Sequence, residues 1–112
     1  MTPARLDLTV YKGVEFGPVL MYAKDDAGNP VNLANWTAYA KTRQGNKPRY
    51  DLTPTITDPP NGEITIIQTH VQTAAMSSGN NDWDLILQNP SGQRFGPYLF
   101  GQFLIRQPIT EV

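Results

Sequence analysis

No cysteine occurs in the 112 residues, and histidine occurs once. The first absence excludes a disulfide framework, a thiolate zinc site and a cysteine nucleophile. The second leaves His70 as the lone imidazole, which needs partners of other residue types for any acid–base or metal role. Net charge is nearly absent too: 9 Lys and Arg against 10 Asp and Glu leave −1. Bulk electrostatic attachment to nucleic acid requires a clearly basic balance, which this chain lacks. No stretch approaches the ~20 apolar residues of a membrane-spanning helix. Residues 1–9 have neither the basic start nor the apolar stretch of a signal peptide, so the expectation is a protein made in the cytoplasm and soluble until it assembles. No Gly-rich phosphate cradle and no Gly-x-Ser-x-Gly elbow is present. Nothing in the residues makes a positive case for an enzyme, a cofactor or a metal.

Proline (10) and glycine (9) are plentiful for the length. They gather in short turns: residues 25–30, Gln44-Gly45-Asn46-Lys47-Pro48, Asp58-Pro59-Pro60-Asn61-Gly62, Ser77-Ser78-Gly79-Asn80 and Asn89-Pro90-Ser91-Gly92. Each interval between them holds one short apolar or alternating run, the sequence form of a β-sandwich or small barrel. Arg5 to Tyr11 alternates, with Leu6, Leu8 and Val10 on one face. Pro18 to Lys24 is apolar almost throughout, so its inward face is not readable from period. A hairpin turn over Asp25 to Pro30 leads toward Trp36 to Arg43, where Trp36, Ala38 and Ala40 are expected inward. A loose polar loop follows, then a strand over Tyr50 to Thr57 whose Pro54 marks it as an edge strand or a bulge. Glu63 to Gln68, Asp82 to Gln88 and a long Arg94 to Arg106 complete about seven strands. Gly96-Pro97 and Gly101 are expected to bend or bulge the last one. Thr69 to Met76 is the only candidate helix, one or two turns long, crossing between sheets. The expectation is one all-β domain over residues 1–112, an immunoglobulin-like antiparallel β-sandwich.

The chemically suggestive residues each have a plainer reading. His70 sits among Thr69, Gln72 and Thr73 and reads as a solvated surface histidine. Asp25, Asp26 and Asn29 lack the spaced acidic ligands and distal glutamate of a calcium loop. Asp82 and Asp84 share a strand face, but flanking inward Trp83 they read as its wet side rather than an acid–base pair. Lys41, Arg43, Lys47 and Arg49, with Tyr39 and Tyr50 nearby, have the aromatic–basic composition of a single-strand groove. Without an overall basic charge they read as a solvated or protein-facing edge. Phe16, Phe95, Tyr98 and Phe100 lie beside two Gly-Pro dipeptides, and one small core cannot easily hold them with both tryptophans. They either plug the ends of the sandwich or form an exposed aromatic patch for a protein partner.

The run Leu6-Asp7-Leu8-Thr9-Val10-Tyr11-Lys12-Gly13 followed by Phe16 resembles the opening strand of small virion β-sandwich proteins of tailed bacteriophages. Asp26-Ala27-Gly28-Asn29-Pro30-Val31-Asn32-Leu33 with Trp36-Thr37-Ala38-Tyr39-Ala40-Lys41 resembles that group's turn-and-strand step. Asn61-Gly62-Glu63-Ile64, Asp82-Trp83-Asp84-Leu85 and Gly101-Gln102-Phe103-Leu104-Ile105 with Ile109-Thr110 resemble three further landmarks. Residues 108–112 keep the usual ending only in part. The group includes proteins that attach tail fibres to the collar or tail tip. The resemblance implies a structural adaptor of the virion, without catalytic residues, nucleic acid, membrane or small-molecule substrate. Its partners would be tail, collar or fibre subunits, and it would form a homo-oligomer or ring. The expected contact residues are Pro3, Arg5, Phe16, Tyr39, Phe95, Tyr98, Phe100, Pro108 and Ile109, with both terminal segments extending a neighbour's sheet. A capsid decoration protein is the nearest alternative. A carbohydrate- or receptor-binding tip that stacks sugars on Tyr39 or Tyr98 is the other.

Overall fold

The computed structural model describes residues 4–109. Nine strands form two packed sheets: β1 (Ala4–Arg5), β2 (Leu8–Tyr11), β3 (Phe16–Tyr22), β4 (Thr37–Gln44), β5 (Lys47–Asp51), β6 (Thr55–Asp58), β7 (Glu63–Gln68), β8 (Gly79–Gln88) and β9 (Arg94–Arg106). The larger sheet runs β1-β9-β8-β4-β5, with β2 continuing the β1 side along β9; the smaller runs β3-β7-β6. Every neighbouring pair is antiparallel except β1 and β2, which run parallel to β9 (Ala4 beside Leu99, Leu8 beside Phe103, Tyr11 beside Arg106). The expected all-β sandwich is what forms, but not in its wholly antiparallel version.

Alternation decides which face each strand buries. Leu8 and Val10, Ala40, Trp83, Leu85 and Leu87, and Phe103 and Ile105 point inward from the larger sheet. Met21, Ile64 and Ile66 meet them from the smaller one, with Leu33, Leu52 and Met76 filling the ends. Each such large side chain contributes about 1.5–3 kcal/mol through removal from water. The buried polar groups are matched inside. Gln68 Nε2 donates to the Leu52 carbonyl (2.9 Å), and Thr73 Oγ1 donates to the Val14 carbonyl (2.9 Å). Among the described residues no buried side-chain nitrogen or oxygen lacks a partner.

Two expected strands each divide, which turns about seven into nine. In the first, the chain steps out of the ladder at Leu6 and Asp7. The Trp83 indole Nε1 donates to the Leu6 carbonyl (2.7 Å), and the Gln102 amide donates to Asp7 Oδ1 (2.9 Å), so a carboxylate replaces a backbone acceptor. Gly101 lies directly under this step, where a Cβ would run into the Leu6 carbonyl. In the second, Tyr50 to Thr57 is not one strand with a bulge at Pro54. It is β5 in one sheet and β6 in the other, with the crossing at residues 52–54. Leu52 is wholly buried at that crossing, and Thr53 takes φ 46.

Two other connections differ from expectation. Residues 25–30 make a local turn closed by a Lys24–Pro30 bridge, not a hairpin between neighbouring strands, because β3 and β4 belong to different sheets. The loop after β4 is a tight two-residue turn, Gly45-Asn46, with Gly45 at φ 62. Gly96-Pro97 does bulge β9, where the register shifts between Leu85 and Leu87, but pairing runs on through Gly101. The helical crossover is α1 (His70–Ala74), opened by Thr69 in a reciprocal capping box with Gln72.

Candidate functional site

The outer face of the larger sheet gathers more charged and aromatic side chains than any other part of the fold. Because β4, β8 and β9 pair in register, alternate residues stand in cross-strand rows. One row reads Lys41, Asp84, Phe100 and Arg5; the next reads Arg43, Asp82 and Gln102; Tyr39 lies beside Ile86 in a third. Two charged columns result, Lys41 and Arg43 on β4 beside Asp84 and Asp82 on β8. The first two rows line an open depression of about 660 Å³. The ion pairs formed among the described residues involve none of these four groups: Arg5 pairs with Asp7 at 3.2 Å at the β1 edge of the face, and His70 with Glu15 at 3.8 Å. Lys41, Arg43, Asp82 and Asp84 thus stand next to opposite charges without closing on them, and are open to an outside partner.

The aromatic residues Tyr39 (37%) and Phe100 (39%) are half-exposed on this face, and Phe95 (42%) is half-exposed on the inner side. Arg94 lies 5.5 Å over the Tyr39 ring, and Phe95 covers Trp36 at 5.7 Å between ring centres. At the β1 edge, Asp7 is held below the usual carboxylate range, chiefly by the Gln102 amide, against some desolvation and with help from Arg5.

The residues expected at contacts separate into several places. Arg5, Tyr39 and Phe100 share this face, whereas Phe95, paired with the inward Leu87 and packed on Trp36, lies on the inner side of the sheet. Tyr98 is half-buried in a slot of about 190 Å³ between the sheets, lined by Met21, Leu85 and Leu99, and burial pushes its hydroxyl pKa up. Phe16 turns toward the core and meets Phe103 edge-on at 5.9 Å. Pro108 and Ile109 follow the far end of β9, Ile109 entirely exposed. Pro3 lies outside the described residues, as do the outer parts of both terminal segments.

The chemically suggestive groups lie in ordinary surroundings. Asp25 Oδ1 accepts from the Ala27 and Asn29 amides (3.0 and 2.9 Å), so this carboxylate shapes its own turn. Arg49 is taken up by the Gln44 side chain on the outer edge. Among the described residues no group of three His, Asp or Glu side chains is placed to hold a metal ion. A second apolar surface escaped the sequence reading: Leu20 (51%), Tyr22 (52%) and Ile67 (53%) are exposed on the smaller sheet. The Glu63 carboxylate, then desolvation, raises the Tyr22 pKa there. In β3 both faces are apolar, so only the pairing with β7 reveals which points out.

No protein-family model matches the chain, and no curated protein matches it in sequence.

Proposed function

We propose that the chain is an immunoglobulin-like docking module of a tailed-phage particle, holding fibres or other proteins at the tail or collar. The observation that carries the docking part is the open face of the larger sheet, with Tyr39 and Phe100 half-exposed, and Ile86 partly buried, among unengaged charges. Apolar and aromatic groups within a polar surround are the make-up of a protein-contact surface. The strand order supports the immunoglobulin-like part. A β9-β8-β4-β5 sheet against a β3-β7-β6 sheet follows the division between strands G, F, C, C′ and strands B, E, D of that architecture. The phage part rests on the resemblance of the landmark segments. In a symmetric particle many copies make each modest contact effectively intramolecular, so small interfaces are enough.

The glycan reading has less support. Arg94 already occupies a face of Tyr39, and Tyr98 is half-buried, so neither offers an open ring for a sugar to stack on. Head decoration uses the same architecture, and copy number separates it from a tail role. The test is quantitative mass spectrometry of particles from the phage that encodes the chain. About a dozen copies or fewer supports a tail or collar ring, and hundreds move it to the head lattice. Absence from the particles refutes the virion reading.

A further inference from the structure

We infer that the outer face of the larger sheet pairs with the same face of a second copy of this chain, through reciprocal contacts between its basic and acidic columns. The β4 column carries Lys41 and Arg43, and the adjacent β8 column carries Asp84 and Asp82, matched row for row. Consider a two-fold axis lying between two such faces, parallel to the strands and midway between β4 and β8. It sets β4 of one copy over β8 of the other and preserves position along the strand. Lys41 then faces the second copy's Asp84, and Arg43 faces its Asp82. The symmetry repeats both pairs, giving four. The same operation brings Tyr39 over the second copy's Ile86, an apolar contact next to the charges.

Two further observations favour this occupant. Among the described residues the four charged groups form no ion pair, although each has an opposite charge in the neighbouring strand. The face is hollow, with a depression of about 660 Å³ that receives long side chains from a facing copy. A two-fold contact requires one self-complementary patch, and alternating columns of opposite sign provide it. The other broad surface, on the smaller sheet, offers Glu63 and Asp58 beside Tyr22 with no basic column to match. This inference stands on the charges of the face and is independent of the virion reading.

The test is sedimentation equilibrium of the purified chain up to ~1 mM, at low and high salt. The wild type is expected to form a dimer that weakens as salt rises. Lys41→Glu with Arg43→Glu makes both columns acidic, and Asp82→Lys with Asp84→Lys makes both basic. Each double variant alone is expected to lose dimerisation by at least about a hundredfold. An equimolar mixture of the two is expected to restore a one-to-one heterodimer. A wild type that stays monomeric overturns the inference. So does any assembly that survives both reversals, or a mixture that remains monomeric. Circular dichroism checks that each variant folds. If one does not, Lys41→Gln with Arg43→Gln takes its place, and dimerisation less than about tenfold weaker than wild type counts against the inference.

Discussion

Replacing Trp83 with phenylalanine tests what ties the N-terminal strands to the sandwich. The indole is 3% exposed, and its Nε1 donates to the Leu6 carbonyl at 2.7 Å. That bond occupies the carbonyl where the chain leaves the parallel ladder between β1 and β2. Phenylalanine removes roughly 40 Å³, which at about 24 cal/mol per Å³ costs about 1 kcal/mol if the site does not collapse. Losing the hydrogen bond and leaving a partly buried carbonyl without its donor adds about 1–2 kcal/mol. The expected destabilisation is therefore about 2–3 kcal/mol, or a fall in Tm of about 8–12 °C for a domain of this size. Urea and thermal unfolding followed by circular dichroism measure it. Amide exchange localises it: the Leu6 and Gln102 amides are expected to exchange faster, while Ile64 and Ile66 in the smaller sheet track only the global change. A loss below about 1 kcal/mol would refute the reasoning, because it would mean the indole nitrogen is not an anchor.

Gly101→Ala drives a Cβ into the Leu6 carbonyl and within 2.8 Å of Asp7 Oδ1; urea unfolding is expected to show a loss of about 1–3 kcal/mol. Gln68→Leu removes the donor that satisfies the Leu52 carbonyl inside the core, and the same assay is expected to show about 1–3 kcal/mol lost. Asp7 has a folded pKa below its unfolded value, so its contribution is present above the unfolded value and disappears as pH falls through the lowered one. A pH series of unfolding curves should therefore show a shallower acid decline for Asp7→Asn than for the wild type.

Much of the fold is legible because burial and turn chemistry write themselves locally. Trp83, Leu85 and Leu87 alternate with polar neighbours and are all buried, and Thr69 with Gln72 announces the start of α1. Strand direction has no such mark, since Leu8 and Val10 alternate identically beside a parallel or an antiparallel neighbour. Nor does the jump between sheets: Leu52 continues the apolar pattern of β5 although the chain is already crossing. The charged face was legible only by halves. Lys41 with Arg43 and Asp82 with Asp84 each look like one solvated strand side. They become a matched pair of columns only through pairing between strands some forty residues apart, which no local pattern encodes.

The parallel run of β2 beside β9 also determines how the domain carries a mechanical load. Tension applied between Ala4 and Gln107 pulls these two strands lengthwise in opposite directions. The links from Leu6 to Phe100 (2.8 Å), Gln102 to Asp7 (2.9 Å) and Lys12 to Arg106 (3.0 Å) then resist together, in shear. A hairpin pulled from its open end yields one rung at a time, whereas this seam must give along its whole length. Stretched end to end, the domain behaves as a stiff link whose resistance resides in β1, β2 and β9 rather than in its core.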